Sequence, residues 1–585
     1  MSVGCKRLLV VMVTCVFCAT IYMGSQSFLD QHQPAMSSPV LKRLAKLPSR
    51  HQATEEFRMA RDILSGPHVR PHNPGEIPST AYYVWCGDKP FTFGDYLGIL
   101  SIVKILEPLR IFFYYNKLPS TTEGFFYHSW FPELKQSLAN LVFWEIEKPI
   151  SCDTPDAMEL ALELMLSSQA GGVYVGERVV LTHIPDTWKT GKYFTYINHS
   201  SKTKNEPMLV FIRQGVDRKH ERNQLKNFVL NQSQECHTSE QLELMGSEKS
   251  PCVVLSGRLN PKNIINNTAS FSAFLRWLYY GRTDALYAKQ SQDPQDMVPL
   301  INHMIYINPN PGSPVTWPFE RYLSVLSALY VAGFHRVYVH GDTEPSGELW
   351  DKLKKENVTF VYIDQPYAVF QQEVNVMEHK SDILRIQILY KYGGAYNDND
   401  VIWVKPLSEE QRKYPSIACY EWSEDEVWPG KINSGLIVSK PKALFLIKVL
   451  ESFWYYRDDI WAMNVVYMFY KIYERNPECL HIDTRLQVCC YKGICHPAWH
   501  PDFIRPYGDL TPTKRINIEE VNAFHFFHHD APSTFTSFSA LEEKTSLEAL
   551  LANRVKAAIL RAGKPHLLEL SGHRKAQARD TDLPF

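Results

Sequence analysis

The chain reads as an α/β protein: two tandem Rossmann-like domains, the first degenerate, behind an N-terminal transmembrane anchor and a stem. Three observations predict this. A block of sequence recurs at a fixed offset in the two halves, strand-like apolar runs alternate with helical periodicity inside each copy, and an uncharged apolar run lies close to the N-terminus. At 585 residues, 45% of them hydrophobic, the chain is long enough for two or more cores.

Residues 1–7, ending in Lys6-Arg7, read as a cytosolic tail, and residues 8–24 as a signal anchor. Leu8 to Met23 is apolar apart from Thr14 and Thr20, and no charge follows before Asp30. Basic residues ahead of the run and none just behind it predict a single-pass, type II orientation. A cleaved signal peptide is the rival reading, but no small-x-small cleavage site follows the apolar core. Residues 25–78, rich in Gln, His, Pro and Arg, read as a flexible stem.

The repeat sets the next boundaries, with domains at 79–295 and 296–540 and a C-terminal helix and polar tail at 541–585. GGVYVGERVVLTHIP (171–185) parallels GGAYNDNDVIWVKPL (393–407) at an offset of 222 (394 minus 172). YYVWC (82–86) falls opposite MIYIN (304–308), RIFFYYN (110–116) resembles HRVYVHGD (335–342), and VFWEIEKP (142–149) resembles TFVYIDQP (359–366). Ordered matches of this kind predict duplication; a generic strand-helix-strand echo is the alternative.

Within the second copy, SDILRIQILYKYGGAYNDNDVIWVKP (381–406) concentrates the chemistry. Ile383, Leu384, Ile386, Ile388 and Leu389 recur at helical spacing, and Gly393-Gly394 should end that helix. Asp382 and Arg385, at i and i+3, share one side and can hold each other or a ligand. Val401 to Val404 reads as a short buried strand, so Asp398 and Asp400 fall at a strand junction, where open α/β sheets bind ligands. Carboxylates in D-x-D spacing are hard oxygen ligands suited to Mg or Mn. One of the two could instead act through water or on a ribose. Asp580 and Asp582 repeat the spacing, but in a polar tail, where a solvated pair is expected.

SDILR, thirteen residues from Arg385 to the first Asp of the triplet, the GGAY turn and the DND together resemble the signature of glycosyltransferases with a DXD sugar-binding region: family 32 and its relatives, including α-1,4-glycosyltransferases and clostridial glucosylating toxins. The tight match covers 376–407 and a looser one runs from Met304 to Phe535. The resemblance implies a GT-A fold in the second domain, a UDP- or GDP-sugar donor, a divalent metal (Mn or Mg) and retention of anomeric configuration. On the matching positions, Asp382 and Arg385 would contact the donor sugar, and Asp398 and Asp400 would serve ribose and metal. Asn433, in Lys431-Ile-Asn-Ser-Gly435, resembles an Asn bordering donor and acceptor, although a polar turn into a strand reads equally well. In Ala523-Phe-His525-Phe-Phe-His528-His529-Asp530, His528 or His529 would complete the metal site, the alternative being a structural or surface His run.

The chain also departs from that family. Trp461-Ala-Met-Asn464-Val-Val-Tyr467 lacks Gly-Pro, and Ser533-Thr-Phe535 stands where Ser-Trp is usual, which leaves the acceptor side least defined. At the 222 offset, Leu160, Glu163, Gly176 and Arg178 stand opposite Asp382, Arg385, Asp398 and Asp400, so the first copy is expected to be catalytically silent. An Arg in a metal ligand's place repels a cation.

Anchor, stem and enzyme is the layout of a Golgi membrane transferase with a lumenal catalytic region. Its expected partners are a nucleotide sugar, a glycan, glycolipid or glycoprotein acceptor, and the membrane. With 62 basic and 63 acidic residues there is no field for nucleic acid. Sequons at Asn198, Asn231, Asn266 and Asn357 are candidate glycosylation sites, and Cys479, Cys489, Cys490 and Cys495 are expected to form disulfides rather than a zinc site. A silent glycan-binding or escort protein is the alternative function. A lumenal hydrolase is disfavoured, because carboxylates two residues apart converge on one cation rather than straddle a scissile bond.

Overall fold

The computed structural model describes residues 79–119, 130–146, 160–165, 171–198, 206–213, 234–238 and, with short interruptions, 250–569. The expected cytosolic tail (1–7), anchor (8–24) and the whole stem (25–78) lie outside the described residues, and no described helix is long and apolar enough to cross a membrane.

The first half runs β1 (Thr80–Trp85), α1 (Phe93–Ser101), β2 (Arg110–Tyr115), α2 (Trp130–Ser137), β3 (Leu141–Glu145), β4 (Gly172–Val175), β5 (Val179–Leu181), β6 (Tyr193–Asn198), β7 (Glu206–Ile212), β8 (His237–Thr238), β9 (Cys252–Val254) and α3 (Ser270–Tyr280). Six strands form a mixed sheet in the order β3-β2-β1-β4-β7-β6, and β5-β9-β8 form a smaller one. TAYYVW is buried on both faces after Thr80, as a central parallel strand requires. Thr92 starts α1 through a reciprocal cap with Asp95.

The second half opens with β10 (Ile301–Tyr306), α4 (Phe319–Tyr330), β11 (Arg336–Gly341), β12 (Val358–Tyr362), the hairpin β13 (Ala368–Val369) and β14 (Gln372–Glu373), and α5 (Met377–Tyr392). It continues through β15 (Gly394–Asn397), β16 (Val401–Trp403), β17 (Ser416–Ala418), β18 (Leu436–Ser439), α6 (Met468–Arg475), β19 (His481–Ile482), β20 (Gln487–Tyr491), β21 (Ile494–Pro497), β22 (Arg505–Pro506), β23 (Ala523–Phe526) and α7 (Leu547–Arg561). Its main sheet has the order β12-β11-β10-β15-β18-β17-β19, and a second has the order β16-β23-β20-β21-β22.

The two main sheets agree bond by bond. In each, the first strand lies between two parallel neighbours and the fourth pairs antiparallel with the next. Gly176 N–H donates to Met208 O at 2.8 Å, and Asp398 N–H donates to Gly435 O at 2.8 Å. Ser101 Oγ accepts from Leu181 N–H at 2.9 Å as Ser327 Oγ accepts from Trp403 N–H at 2.9 Å. The ladders shift one part of the expected alignment: Ala81 pairs with Val173 as Asn302 pairs with Ala395, so β1 is offset by 221 (302 minus 81) and Tyr82 matches His303 rather than Met304. Side-chain stacking follows that register, Tyr82 lying on Phe112 at 5.7 Å and His303 on Tyr338 at 5.5 Å.

Helix α5 ends at the expected Gly-Gly. Gly393 and Gly394 have φ of +65° and +99°, and a Cβ on Gly394 would sit 2.5 Å from Ile301 O. Only glycine lets β15 leave the helix and lie against β10.

Under that turn, His303 Nδ1 faces His340 Nε2 at 3.0 Å and His303 Nε2 faces Gly393 O at 3.0 Å. Burial pushes His303 down to about 4, and burial plus its neighbour pushes His340 down to about 3. Both stay neutral in the folded protein, whereas in the unfolded chain both take up protons below about pH 6.5. Stability should therefore fall as pH drops from 6.5 toward 4, by on the order of 3 kcal/mol for His303 alone. Thermal melts across that range check this. His340→Tyr, which places the residue of the matching β2 position (Tyr114), should flatten the slope, and an unchanged slope would contradict it.

Cys236–Cys252 and Cys490–Cys495 are disulfides, whereas Cys479 and Cys489 are buried free thiols, so only two of the four clustered cysteines pair as expected. Cys490 and Cys495 face each other across the β20–β21 ladder, and Cys489 points to the opposite side of its strand. Asn266 and Asn357 are exposed.

Candidate active site

The D-x-D pair occupies the turn from β15 to β16, which moves the chain from the main sheet to the second one. Strand β23 then pairs antiparallel with β16 and sets His525 beside Val401. His525 Nε2 lies 3.7 Å from Asp398 Oδ2 and 3.4 Å from Asp400 Oδ1. Ligand atoms of all three residues fall within 4.8 Å of one another. Apart from that imidazole, Asp400 Oδ1 is buried with no hydrogen-bond partner among the described residues. An anionic oxygen in that position fits a cation, and two carboxylates with one imidazole suit Mn or Mg. Asp400 and Asp398 outweigh the burial of His525 and raise its pKa.

Arg385 is fixed from several sides. Its Nη2 lies 3.0 Å from Asp382 Oδ1 and 3.5 Å from Asp398 Oδ1, its Nη1 donates to Ser434 O at 2.9 Å, and the guanidinium sits 4.6 Å over the Tyr396 ring. Burial disfavours its charge, but Asp398, Tyr396 and Asp382 together raise its pKa, so the cation is permanent. Asp382 is buried too, and burial pushes its carboxyl up to about 6 despite Arg385. Tyr396 OH donates to Asp398 Oδ1, orienting that carboxylate from the side away from His525.

Asn433 acts on the turn. Its Oδ1 accepts from Gly435 N–H at 2.8 Å and from Gln487 Nε2 at 2.9 Å, while Gly435 O receives Asp398 N–H. A Cβ on Gly435 would lie 2.2 Å from His525 Cε1 and 2.7 Å from Asp398 Oδ2, so glycine keeps the space between the ligands open.

Asp382, Arg385, Asp398 and Asp400 thus come together, with Asn433 one turn behind them. His528 and His529 lie outside the described residues, as do Asp580 and Asp582. His525 was the histidine that sequence reasoning passed over. The signal for it is the two-residue alternation of β23, in which His525 and Phe524 face opposite sides. In the first half the same ladder places Val254 against Val179 as His525 lies against Val401.

Residues 327–418 match the model for a glycosyltransferase sugar-binding region containing a DXD motif. Over that stretch the chain is similar to the DXD-bearing glycosyltransferases. The chain is 27% identical over 216 residues to glucan organizing enzyme 1 of Cryptococcus neoformans, covering 36% of this chain and 57% of that protein. It is also 33% identical over 81 residues to an uncharacterized protein of Arabidopsis thaliana, covering 14% of this chain and 12% of that one. It therefore spans little more than half of the first relative and a small part of the second. Among solved structures, PaToxG glycosyltransferase is 18% identical and covers 31% of this chain and 70% of its own, with a TM-score of 0.24. The galactosyltransferase LgtC with donor and acceptor sugar analogs is 13% identical, covers 44% and 95%, and scores 0.25. At scores this low neither likeness bears on the present fold or chemistry.

Proposed function

We propose that the protein is a metal-dependent glycosyltransferase that moves a monosaccharide from a UDP- or GDP-sugar to a glycan, glycolipid or glycoprotein acceptor, with retention of configuration. The carrying observation is the convergence of Asp398, Asp400 and His525 next to the Arg385–Asp382 pair.

Asp398, Asp400 and His525 would hold the divalent ion, which when bound offsets the charge of a diphosphate leaving group. Arg385 supplies a second positive charge that does not have to reorganise, since Ser434, Ser381 and Tyr396 already hold it. Asp382 offers a carboxyl for a donor-sugar hydroxyl. Asn433 keeps the Gly435 turn clear of the ligands.

The first half is read as a duplicated domain that lost this chemistry. Matching hydrogen bonds support that reading, with Gly176, Arg178 and Val254 at the places of Asp398, Asp400 and His525. The silent escort reading fits less well, because the second half retains the whole set. Type II insertion in the Golgi membrane is proposed from the sequence: the uncharged run at 8–24, Lys6-Arg7 ahead of it and the stem-like stretch behind it.

Donor hydrolysis by the full chain across a panel of UDP- and GDP-sugars, with Mn or with chelator, tests the function. One donor class should be hydrolysed with Mn and spared with chelator. Gly435→Ala, which fills the cradle, should abolish turnover without unfolding the chain. Failure to bind or hydrolyse any donor would leave the escort reading in front.

A further inference from the structure

A loop beside the site displays aromatic side chains that the fold has no need to expose. Among the described residues three tryptophans count as exposed, and two of them, Trp454 at 41% and Trp461 at 64%, lie within eight positions of each other. Phe370 at 44% exposure meets Trp454 with ring centroids 5.4 Å apart. Exposed Trp normally turns inward or disappears from a surface, unless something else covers it.

These rings are held in place. Asn464 closes the loop, its Oδ1 accepting from Arg457 N–H at 2.8 Å and its Nδ2 donating to Arg457 O at 2.7 Å. Ala462, next to Trp461, has φ of +64°, and Phe370 at the hairpin tip has φ of +46°, a conformation unfavourable for a bulky residue. Asp458 joins loop and hairpin: it accepts from Asn375 N–H at 2.9 Å, from Tyr456 OH at 2.6 Å and faces His379 Nδ1 at 3.1 Å. A buried anchor and locally strained backbone at an outward-pointing ring fit function better than packing.

Their position gives the ligand. The Trp461 ring lies 5.7 Å from the His379 ring, and His379 stands three residues before Asp382 on α5, about 4.5 Å along the helix axis. The Tyr456 phenol, raised by burial and Asp458, also feels the Asp382 carboxylate. Trp461 is therefore linked to the pair assigned to the donor sugar through a single residue, His379, on the same helix. The C–H face of a pyranose is apolar and matches the electron-rich face of an indole.

We propose that Trp461, with the Trp454–Phe370 pair on the same loop and the neighbouring hairpin, forms the acceptor platform: Trp461 stacks on a pyranose ring of a carbohydrate acceptor and holds it on the Asp382 side of the site. The proposal rests on the transferase reading and names its acceptor class, a glycan rather than a peptide or lipid moiety.

The test separates the two readings. Full-length protein and Trp461→Ala are compared for donor hydrolysis, where water is the acceptor, and for binding and transfer with α-glucan and β-glucan tetraoses, lactose and α-mannobiose. Donor hydrolysis should be unchanged, while KM for the acceptor rises about tenfold with Trp461→Ala and recovers largely with Trp461→Tyr. Trp454→Ala should shift KM in the same direction by less. An unchanged acceptor KM in Trp461→Ala, or wild-type protein that hydrolyses donor yet binds none of these saccharides, would overturn the platform. Loss of donor hydrolysis in the wild type would instead overturn the transferase reading.

Discussion

Asp400→Asn is expected to cost at least about a hundredfold in metal-dependent donor turnover while the protein stays folded. The amide removes one of two negative charges and replaces a ligand oxygen that is buried and short of partners. His525 loses its nearer carboxylate, while Arg385 keeps Asp382, Asp398, Ser434 and the Tyr396 ring. Asp398→Asn should be as damaging for a further reason, since Asp398 also faces Arg385 and receives the Tyr396 hydroxyl. Residues that act as one unit do not add, so the double variant should lose little beyond either single one. Mn titration by calorimetry and donor turnover measure this. Mn-dependent turnover that survives in Asp400→Asn would remove this carboxylate from the mechanism.

The second large effect concerns the seam between the halves. Glu133 on α2 and Arg475 at the end of α6 form a two-pronged ion pair, with Nη1 to Oε1 at 2.6 Å, both side chains largely buried. The guanidinium lies 5.5 Å from the Trp130 ring and 5.4 Å from Tyr279, both first-half residues. Beside it Tyr280 OH donates to Glu474 O at 2.7 Å and Trp428 Nε1 to Glu474 Oε2 at 2.7 Å. Burial raises Glu474 to about 8 and lowers Lys471 to about 7, and both side chains are buried at this seam.

Removing one partner strands a buried charge. Glu133→Ala should destabilise the protein by about 3–5 kcal/mol, a drop in melting temperature on the order of 10 °C. Replacing both, as Glu133→Leu with Arg475→Met, should cost far less than Glu133→Ala, because two apolar side chains leave no orphaned charge. Thermal melts of the two variants beside the wild type decide it, and a Glu133→Ala protein that melts with the wild type would refute it. Helix α6 follows closely on the Trp461 loop in the chain, so the first half packs against the element that carries that loop.

Local features were legible because they depend on neighbours in sequence. The apolar spacing from Ile383 to Leu389 produced α5, Gly393-Gly394 ended it, and the run from Val401 became β16 as expected. Asp382 and Arg385 meet as an i, i+3 pair must. The matching strand orders of the two sheets were foreshadowed by the 222 offset, although a one-residue difference at β1 emerged only from the ladders.

Sequence alone therefore determined the helix, its stop and the acidic turn, since each is written in residues within one or two turns of each other. The tertiary structure alone decided which histidine meets the carboxylates, that Asn433 supports a turn, and that Glu133 finds Arg475 across 342 positions. Those contacts depend on strand register and on how separate layers pack. Both arise from summed burial over the whole chain; strand alternation separates the face of His525 from that of Phe524 but does not choose the strand it pairs with.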